Sequence, residues 1–419
     1  MQKFSEMQEV MNSAQLIHLE EKYGAHNYHP LPVVLERGEG VYVWDVEGKK
    51  YFDFLSAYSA VNQGHGHPRI LNALKTQAEK LTLTSRAFYN SELGKYEEFV
   101  TKLFGFDKVL PMNTGAEAVE TAIKIARKWG YEKKGIESGK AQIVVCNGNF
   151  HGRTTTIISF SNDDDARNNF NPYTSGFISV EYNDVEAFRK IITENKEDIC
   201  GFLVEPIQGE AGVNVPDEGY LSACREICKE NNVLFIADEI QTGIARTGKM
   251  LAIDHENIKP DMLILGKAVS GGVYPVSAVL ADDEVMNVIK PGQHGSTYGG
   301  NPLACAVAME ALQVVLDEKL AENAEKLGEI FRSEVEKMIE EFDYLKAVRG
   351  KGLLNAILIN DTPESSTAWD LCVQLMENGL LAKPTHGNII RFAPPLVISE
   401  SELMSAIEVL RTTFMKFEK

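Results

Sequence analysis

The feature that most constrains this chain is a set of short, near-continuously apolar runs, each ending in polar or glycine-rich residues. They are Ile143-Val144-Val145-Cys146, Phe202-Leu203-Val204, Val233-Leu234-Phe235-Ile236-Ala237 and Met262-Leu263-Ile264-Leu265. A strand that is apolar on both faces belongs in a sheet covered on both faces, as parallel sheets are. Between the runs the periodicity becomes helical, with Val119, Ala122, Ile123 and Ala126 at i, i+3, i+4 and i+7. Glu117 and Glu120 lie early in that helix and Arg127 and Lys128 late, in keeping with its dipole. Strands alternating with amphipathic helices, from about Gly64 to Asn301, predict an α/β sheet.

The flanks read differently. Val41-Tyr42-Val43-Trp44 and Tyr51-Phe52-Asp53-Phe54 bracket the turn Asp45-Val46-Glu47-Gly48, which predicts an antiparallel hairpin. After about Leu303 a long helical stretch leads to a last helix opened by Ser399 and Glu402 at capping-box spacing. Leu403, Ala406, Ile407, Leu410 and Phe414 follow along one face of it. The Asn/Asp-rich stretch from Ser161 to Ser175 reads as a surface loop. With 419 residues the chain exceeds what one core usually serves. The expected organisation is an N-terminal segment over 1–62, with its hairpin packing on a small domain, a large domain over 63–305, and a C-terminal small α+β domain over 306–419.

Charge narrows the partners. Lys and Arg total 42 against 60 for Asp and Glu, a net charge of −18, which repels nucleic acid and anionic membrane surfaces. No apolar run approaches the ~18 residues of a membrane span. The six cysteines are scattered and lack a CxxC pair, so reduced, buried thiols are expected. The start of the chain, with Glu6, Glu9 and Glu20 and no apolar core, reads as neither a secretory signal nor an acid-poor transit peptide. A cytoplasmic location is expected, although a processed organellar form would look the same.

In open α/β sheets ligands sit at the carboxyl ends of the strands. The run ending at Ala237 is followed by Asp238-Glu239, then Gln241, Thr242 and Gly243; the run ending at Leu265 is followed by Gly266-Lys267. An Asp and a Lys leaving adjacent buried strands are costly to desolvate unless paired or employed. A static ion pair is one explanation. The other is a pyridoxal phosphate (PLP) site, in which the lysine condenses with the cofactor aldehyde and the aspartate keeps the pyridine nitrogen protonated. Asn113-Thr114-Gly115-Ala116 at a helix start could hold the phosphate, or could be an ordinary cap. Phe150-His151-Gly152-Arg153 offers an aromatic plane and a cation at the same edge. Other signals are weak. His65-Gly66-His67 lacks further ligands at a metal-site spacing, so no metal is expected, and neither a P-loop, a convincing GxGxxG unit nor a GxSxG elbow occurs.

Leu234-Phe235-Ile236-Ala237-Asp238-Glu239-Ile240-Gln241-Thr242-Gly243, the Gly266-Lys267 step and Gly295-Ser296-Thr297-Tyr298-Gly299-Gly300-Asn301-Pro302 resemble the class-III, PLP-dependent aminotransferases. The likeness runs from about Ala14 to the C-terminus. Tyr28, Tyr58 and Glu210 narrow it to members that act on the δ-amino group of ornithine.

The resemblance implies a fold-type-I homodimer with active sites at the subunit interface. Lys267 would carry the cofactor, Asp238 face the pyridine nitrogen, Gln241 the ring oxygen, and Phe150 stack on the ring. Gly115 and Ala116 would hold the phosphate through backbone N–H groups, with Ser296 and Thr297 as further cofactor-binding residues and Thr297 reaching in from the other subunit. Ala116 stands where some relatives carry valine, which matters little for a backbone contact. His151 stands where the wider class often has His and ornithine members can carry Trp, so it does not assign substrate.

The implied reaction moves the δ-amino group of ornithine to 2-oxoglutarate, giving glutamate 5-semialdehyde and glutamate. One site must then expose a cation near the cofactor in one half-reaction and mask it in the other. By resemblance Arg391 is that cation and Glu210 its mask, although a static salt bridge is the plainer reading. Tyr28 and Arg153 would hold the distal carboxylate, and Tyr58 would shape the pocket. Aminotransferases of N-acetylornithine, 4-aminobutyrate or lysine remain the nearest alternatives.

Overall fold

The computed structural model describes residues 11–417. Three sheets organise the chain. The first contains β1 (Leu35–Glu39), β2 (Tyr42–Asp45) and β3 (Lys50–Asp53). The central sheet is built from β4 (Lys108–Met112), β5 (Gln142–Cys146), β6 (Phe177–Val180), β7 (Ile199–Val204), β8 (Leu234–Asp238), β9 (Met262–Leu265) and β10 (Ser277–Ala281). The last strands are β11 (Leu345–Lys351), β12 (Leu354–Ile359), β13 (Leu380–Leu381), β14 (Lys383–Thr385) and β15 (Ile389–Phe392).

The central sheet has seven strands in the order β4-β10-β9-β8-β7-β5-β6. The four runs singled out in the sequence are β5, β7, β8 and β9, contiguous and parallel. Only β10 runs against its neighbours, β4 and β9. Alternate residues enter separate cores. Val144, Phe202 and Phe235 face one side, where helix Tyr220–Glu230 adds Leu221, Cys224 and Cys228. Ile143, Leu203 and Ile236 face the other, covered by Val119, Ala122, Ile123 and Ala126 of helix Gly115–Trp129. The sheet is therefore dry on both faces, as continuous apolarity requires. All six cysteines are buried and free.

The expected hairpin is β2–β3, with Tyr42 opposite Phe52 and Val43 opposite Tyr51. Asp45 builds its turn: one carboxylate oxygen accepts from the N–H groups of Glu47 and Lys49 at 3.1 and 2.8 Å, and the other from the Tyr51 hydroxyl at 2.6 Å. Gly48 supplies the positive φ of 85°. The hairpin sheet is completed by β13, parallel to β3, and β11-β12-β15-β14 form the third sheet. The last helix, Glu400–Lys416, has the expected capping box at Ser399 and Glu402 and buries Leu403, Ala406, Ile407, Leu410 and Phe414. The Ser161–Ser175 stretch is mostly irregular, with one short helix at Asp164–Arg167.

The expected boundary at 305/306 falls inside helix Pro302–Asp317, which the Asn301 side chain caps by accepting from the Ala304 N–H at 2.8 Å. That helix packs on Pro68–Ala78, Leu93–Phe104 and the turn at Lys267–Ser270, so it sides with the central sheet. The first ten residues of the N-terminal segment lie outside the described ones.

Helix Leu320–Glu341 touches the turn between β11 and β12 at Gly328, where an added Cβ would lie 1.8 Å from the Gly352 carbonyl oxygen. Backbone cannot yield there as a flexible side chain would. Gly328→Ala is expected to destabilise by about 1–3 kcal/mol or more, read as a lower midpoint of urea unfolding.

Candidate active site

The carboxyl edge of the central sheet carries a cavity of about 190 Å³. Its lining includes Gly115, Ala116, Phe150, Asp238, Gln241 and Lys267, six residues drawn from four separate stretches of sequence. Asp238 is the last residue of β8, paired in register with Ile264 of β9, and Lys267 follows β9 by two residues. Parallel neighbours end on the same side, so both side chains reach one opening.

Asp238 is buried and its oxygens have separate partners. Oδ1 accepts from the Ile240 N–H at 3.1 Å, while Oδ2 lies 2.6 Å from His151 Nδ1. Burial disfavours a charge on His151, but the Asp238 carboxylate outweighs it and raises the imidazole pKa. Glu205 lies close behind, accepting from the Phe150 N–H at 2.9 Å and so fixing the backbone that presents the phenyl ring. Burial pushes its carboxyl up to about 7. Lys267 takes a left-handed φ of 45°, an unfavourable conformation for a side-chain-bearing residue. Burial lowers its pKa, against the pull of Glu210 and Asp238. A neutral amine is the nucleophilic and basic form.

The helix start at Gly115 suits an anion. Thr114 and Glu117 form a capping box that employs the N–H groups of Thr114 and Glu117. The N–H groups of Gly115 and Ala116, the first helical residues, have no intrahelical acceptor to use. A Cβ on Gly115 would stand 2.9 Å from Ile240 Cδ1, so glycine lets this helix start approach the exit of β8. Gln241 lies across Gly209, where a Cβ would stand 1.6 Å from its Oε1; that buried oxygen has no partner.

A second constellation adjoins the cavity through Gln241. Glu210 Oε1 accepts from Gln241 Nε2 at 3.3 Å and from Arg391 Nη1 at 2.7 Å. Burial alone would raise the Glu210 carboxyl, but Arg391 dominates and lowers it. The Arg391 guanidinium carbon lies 4.9 Å from the Tyr58 ring centroid, a cation–π contact. Arg391 comes from β15, Glu210 from the segment after β7 and Tyr58 from the turn after β3.

Other expected site residues lie further out. Tyr28 is exposed, and its proximity contributes to the raised pKa of Tyr58, which is due first to burial. Arg153 is exposed, 3.5 Å from Asp163 and 5.7 Å from the Phe150 ring centroid. Ser296 accepts from Asn113 Nδ2 at 2.8 Å, Thr297 is exposed, and neither lines this chain's cavity. His65 and His67 are engaged with Asp53 and Glu318 at 2.7 and 2.9 Å. The pairing of His151 with Asp238 and the place of Glu205 were not legible as roles in the sequence; the only signals were His151 beside Phe150, and Glu205 at the end of an apolar run.

An acid–amine pair at the end of a parallel sheet, facing a helix start and an aromatic ring, defines a class of enzyme. The class-III aminotransferase family model matches residues 23–414, and the chain belongs to that family. Among its relatives is the mitochondrial ornithine aminotransferase of Drosophila ananassae, 62% identical over 94% of this chain and 90% of the relative. The Toxoplasma gondii ornithine aminotransferase, whose structure shows partial occupancy of PLP at its active site, superposes with a TM-score of 0.95 at 48% identity, covering 97% of this chain and 95% of that one. An acetylornithine aminotransferase from Elizabethkingia anophelis is 65% identical with a TM-score of 0.90, over 97% of this chain and all (100%) of that one.

Beside Asp238 the fully buried Glu239 accepts from the Thr242 hydroxyl and, at 2.9 Å, from the Ile253 N–H. Burial raises its pKa from 4.5 to about 7. A carboxyl with a raised folded pKa contributes stability below its unfolded value, and that contribution is lost as pH rises through about 7. Glu239→Gln should remove roughly 3 kcal/mol of this pH dependence, seen as a flatter unfolding midpoint between about pH 5 and about pH 8.

Proposed function

We propose that this enzyme transfers the δ-amino group of L-ornithine to 2-oxoglutarate, giving L-glutamate 5-semialdehyde and L-glutamate. The observation that carries the substrate choice is the Glu210–Arg391 pair, 2.7 Å apart under Tyr58 and linked to the cavity by Gln241. Membership of the class and relatives named for ornithine support the same reading.

The cofactor is pyridoxal 5'-phosphate. When bound, it supplies a conjugated ring that accepts the electron pair left as a substrate C–H bond breaks. The residues present fit it: an amine whose pKa burial lowers, a buried carboxylate, an unpartnered Gln241 oxygen and free N–H groups at a helix start. Lys267 would hold the cofactor and then move the substrate proton. Asp238, held in place by His151 and the Ile240 N–H, would hold a proton on the ring nitrogen. Gln241 would meet the ring oxygen, Phe150 the ring face, and Gly115 and Ala116 the phosphate. Ser296 and Thr297 would complete the cradle, Thr297 reaching in from the other subunit of a homodimer.

Glu210 masks Arg391 while ornithine presents a bare terminal amine. When 2-oxoglutarate arrives, its carboxylate beside the keto group takes the guanidinium and Glu210 withdraws. Arg–carboxylate pairing gives that exchange its geometry. Tyr28 and Arg153 hold the distal carboxylate. The free, buried thiols support a reducing compartment, and we place the enzyme in the cytoplasm, unlike the Drosophila relative named mitochondrial.

A second reading, transfer from N-acetylornithine, is favoured by the 65% identity to the enzyme named for that substrate. Steady-state rates with ornithine, N-acetylornithine, 4-aminobutyrate and lysine, each with 2-oxoglutarate and product identification, decide between them; ornithine should be preferred. Glu210→Ala should raise the rate with glutamate relative to ornithine by roughly ten- to hundred-fold, the worth of one charged hydrogen bond; an unchanged preference would remove the masking role. Borohydride should fix the cofactor to the wild-type chain so that it survives denaturation. Lys267→Ala should retain none.

A further inference from the structure

The segment that delivers Tyr58 has an unusual backbone. Ser56, Ala57, Tyr58 and Ser59 all take positive φ, at 49°, 47°, 59° and 70°. Consecutive L-residues in the left-handed region are disfavoured because each Cβ crowds the following carbonyl. None of the four is glycine, the residue that would accept this conformation freely. Something outside the turn must hold it.

Asp53 stands at that place. Its Oδ1 accepts from the N–H groups of Leu55 and Ser56 at 2.9 and 2.8 Å, and its Oδ2 lies 2.7 Å from His65 Nε2. His65 is itself fixed by a two-way backbone bridge to Gly40, at 2.8 and 2.9 Å. Its ring lies so close to Gly38 that a Cβ there would stand 2.8 Å from it. The flanks of the turn are tied to the segment that leaves the strand carrying Arg391. The Phe54 carbonyl accepts from the Ala393 N–H and the Asn62 carbonyl from the Leu396 N–H, both at 2.7 Å. Just ahead of the first tie, at the entry to the turn, Asp53 is the side chain that accepts from the turn's own backbone N–H groups.

We propose that Asp53, oriented by His65, is a positioning residue for amine selection: it holds the left-handed turn that lays Tyr58 over Arg391. The inference rests on the reading of Tyr58 and Arg391 as substrate-pocket residues. If the turn relaxes, the ring leaves the guanidinium, and Arg391 becomes easier for an α-carboxylate to reach. Selectivity, and not only stability, then depends on a carboxylate that touches no substrate.

The test compares kcat/KM for ornithine and for glutamate as amine donors in the PLP-loaded enzyme, with thermal unfolding measured alongside. Asp53→Ala should lower the ornithine-to-glutamate ratio by about tenfold, the change in a two-state turn that loses one such support. His65→Ala should move the ratio the same way by less, and it carries the test if Asp53→Ala does not fold. Adding Ala57→Gly, which relieves one left-handed L-residue, should restore the ratio in part. Tyr58→Ala should lower the ratio by itself, and Asp53→Ala added to it should lower it no further.

Loss of stability with an unchanged ratio in Asp53→Ala or His65→Ala would overturn the proposal and leave Asp53 as a structural cap. A full additional fall in the Asp53→Ala, Tyr58→Ala double variant would overturn it as well. An unchanged ratio in Tyr58→Ala would instead defeat the pocket reading on which the inference stands.

Discussion

An acid and an amine reach one sheet edge because β8 and β9 are parallel neighbours, about 4.8 Å apart across the ladder. Everything else at the site answers the expense of desolvating them. Asp238 is partnered by His151 and anchored by the Ile240 N–H, at 2.6 and 3.1 Å. Burial shifts Lys267 toward the neutral amine, against the pull of Glu210 and Asp238. Two glycines let the surroundings close in. Cβ atoms on Gly115 and Gly266 would both crowd Ile240, so the helix start, the strand exit and the lysine turn converge only because side chains are missing there. The apolar strands bury the edge from which both side chains emerge.

The central sheet does not build the substrate side alone. Arg391 comes from the third sheet, and Tyr58 from the turn that follows the hairpin sheet. These elements are locked by Phe54, which lies 6.4 Å, centroid to centroid, from both Phe331 and Phe392. The guanidinium near the cavity is thus positioned by packing between N- and C-terminal parts of the chain. β13 makes the same connection in hydrogen bonds, pairing Leu380 with Phe52 and Leu381 with Asp53. Asp53 sits where these constraints meet.

What the sequence disclosed follows from which interactions are local. β5, β7, β8 and β9 are legible because burial on both faces leaves an unbroken apolar run, and the last helix because its cap lies within four residues of its first buried side chain. β4 and β10 lack that signature: one carries Lys108 and Pro111, the other is Ser277-Ala278-Val279-Leu280-Ala281, small residues that read equally as helix. Nothing in Ser56-Ala57-Tyr58-Ser59 announces a left-handed turn, since no glycine marks it. Asp238 and Lys267 could be reasoned to one edge from topology. Glu210 and Arg391, 181 residues apart, could be paired only by family resemblance, because no periodicity relates positions in different sheets.

The charge balance of that distant pair bears on how one pocket accepts two kinds of substrate. A buried guanidinium left without a counter-charge costs several kcal/mol, so Arg391 needs an anion in both half-reactions. In the proposed reaction Glu210 would provide it while ornithine is at the cavity. The carboxylate beside the keto group of 2-oxoglutarate would then provide it in turn, and the pocket would keep its net charge through the exchange. The two partners are not equally free to move. The Arg391 side chain is 6% exposed and pinned beneath Tyr58, whereas that of Glu210 is 27% exposed. Glu210 can therefore withdraw toward water and remain solvated, while Arg391 cannot. On the proposed function the carboxylate would be the member that moves, and the more deeply buried cation would give both substrates a common point of reference.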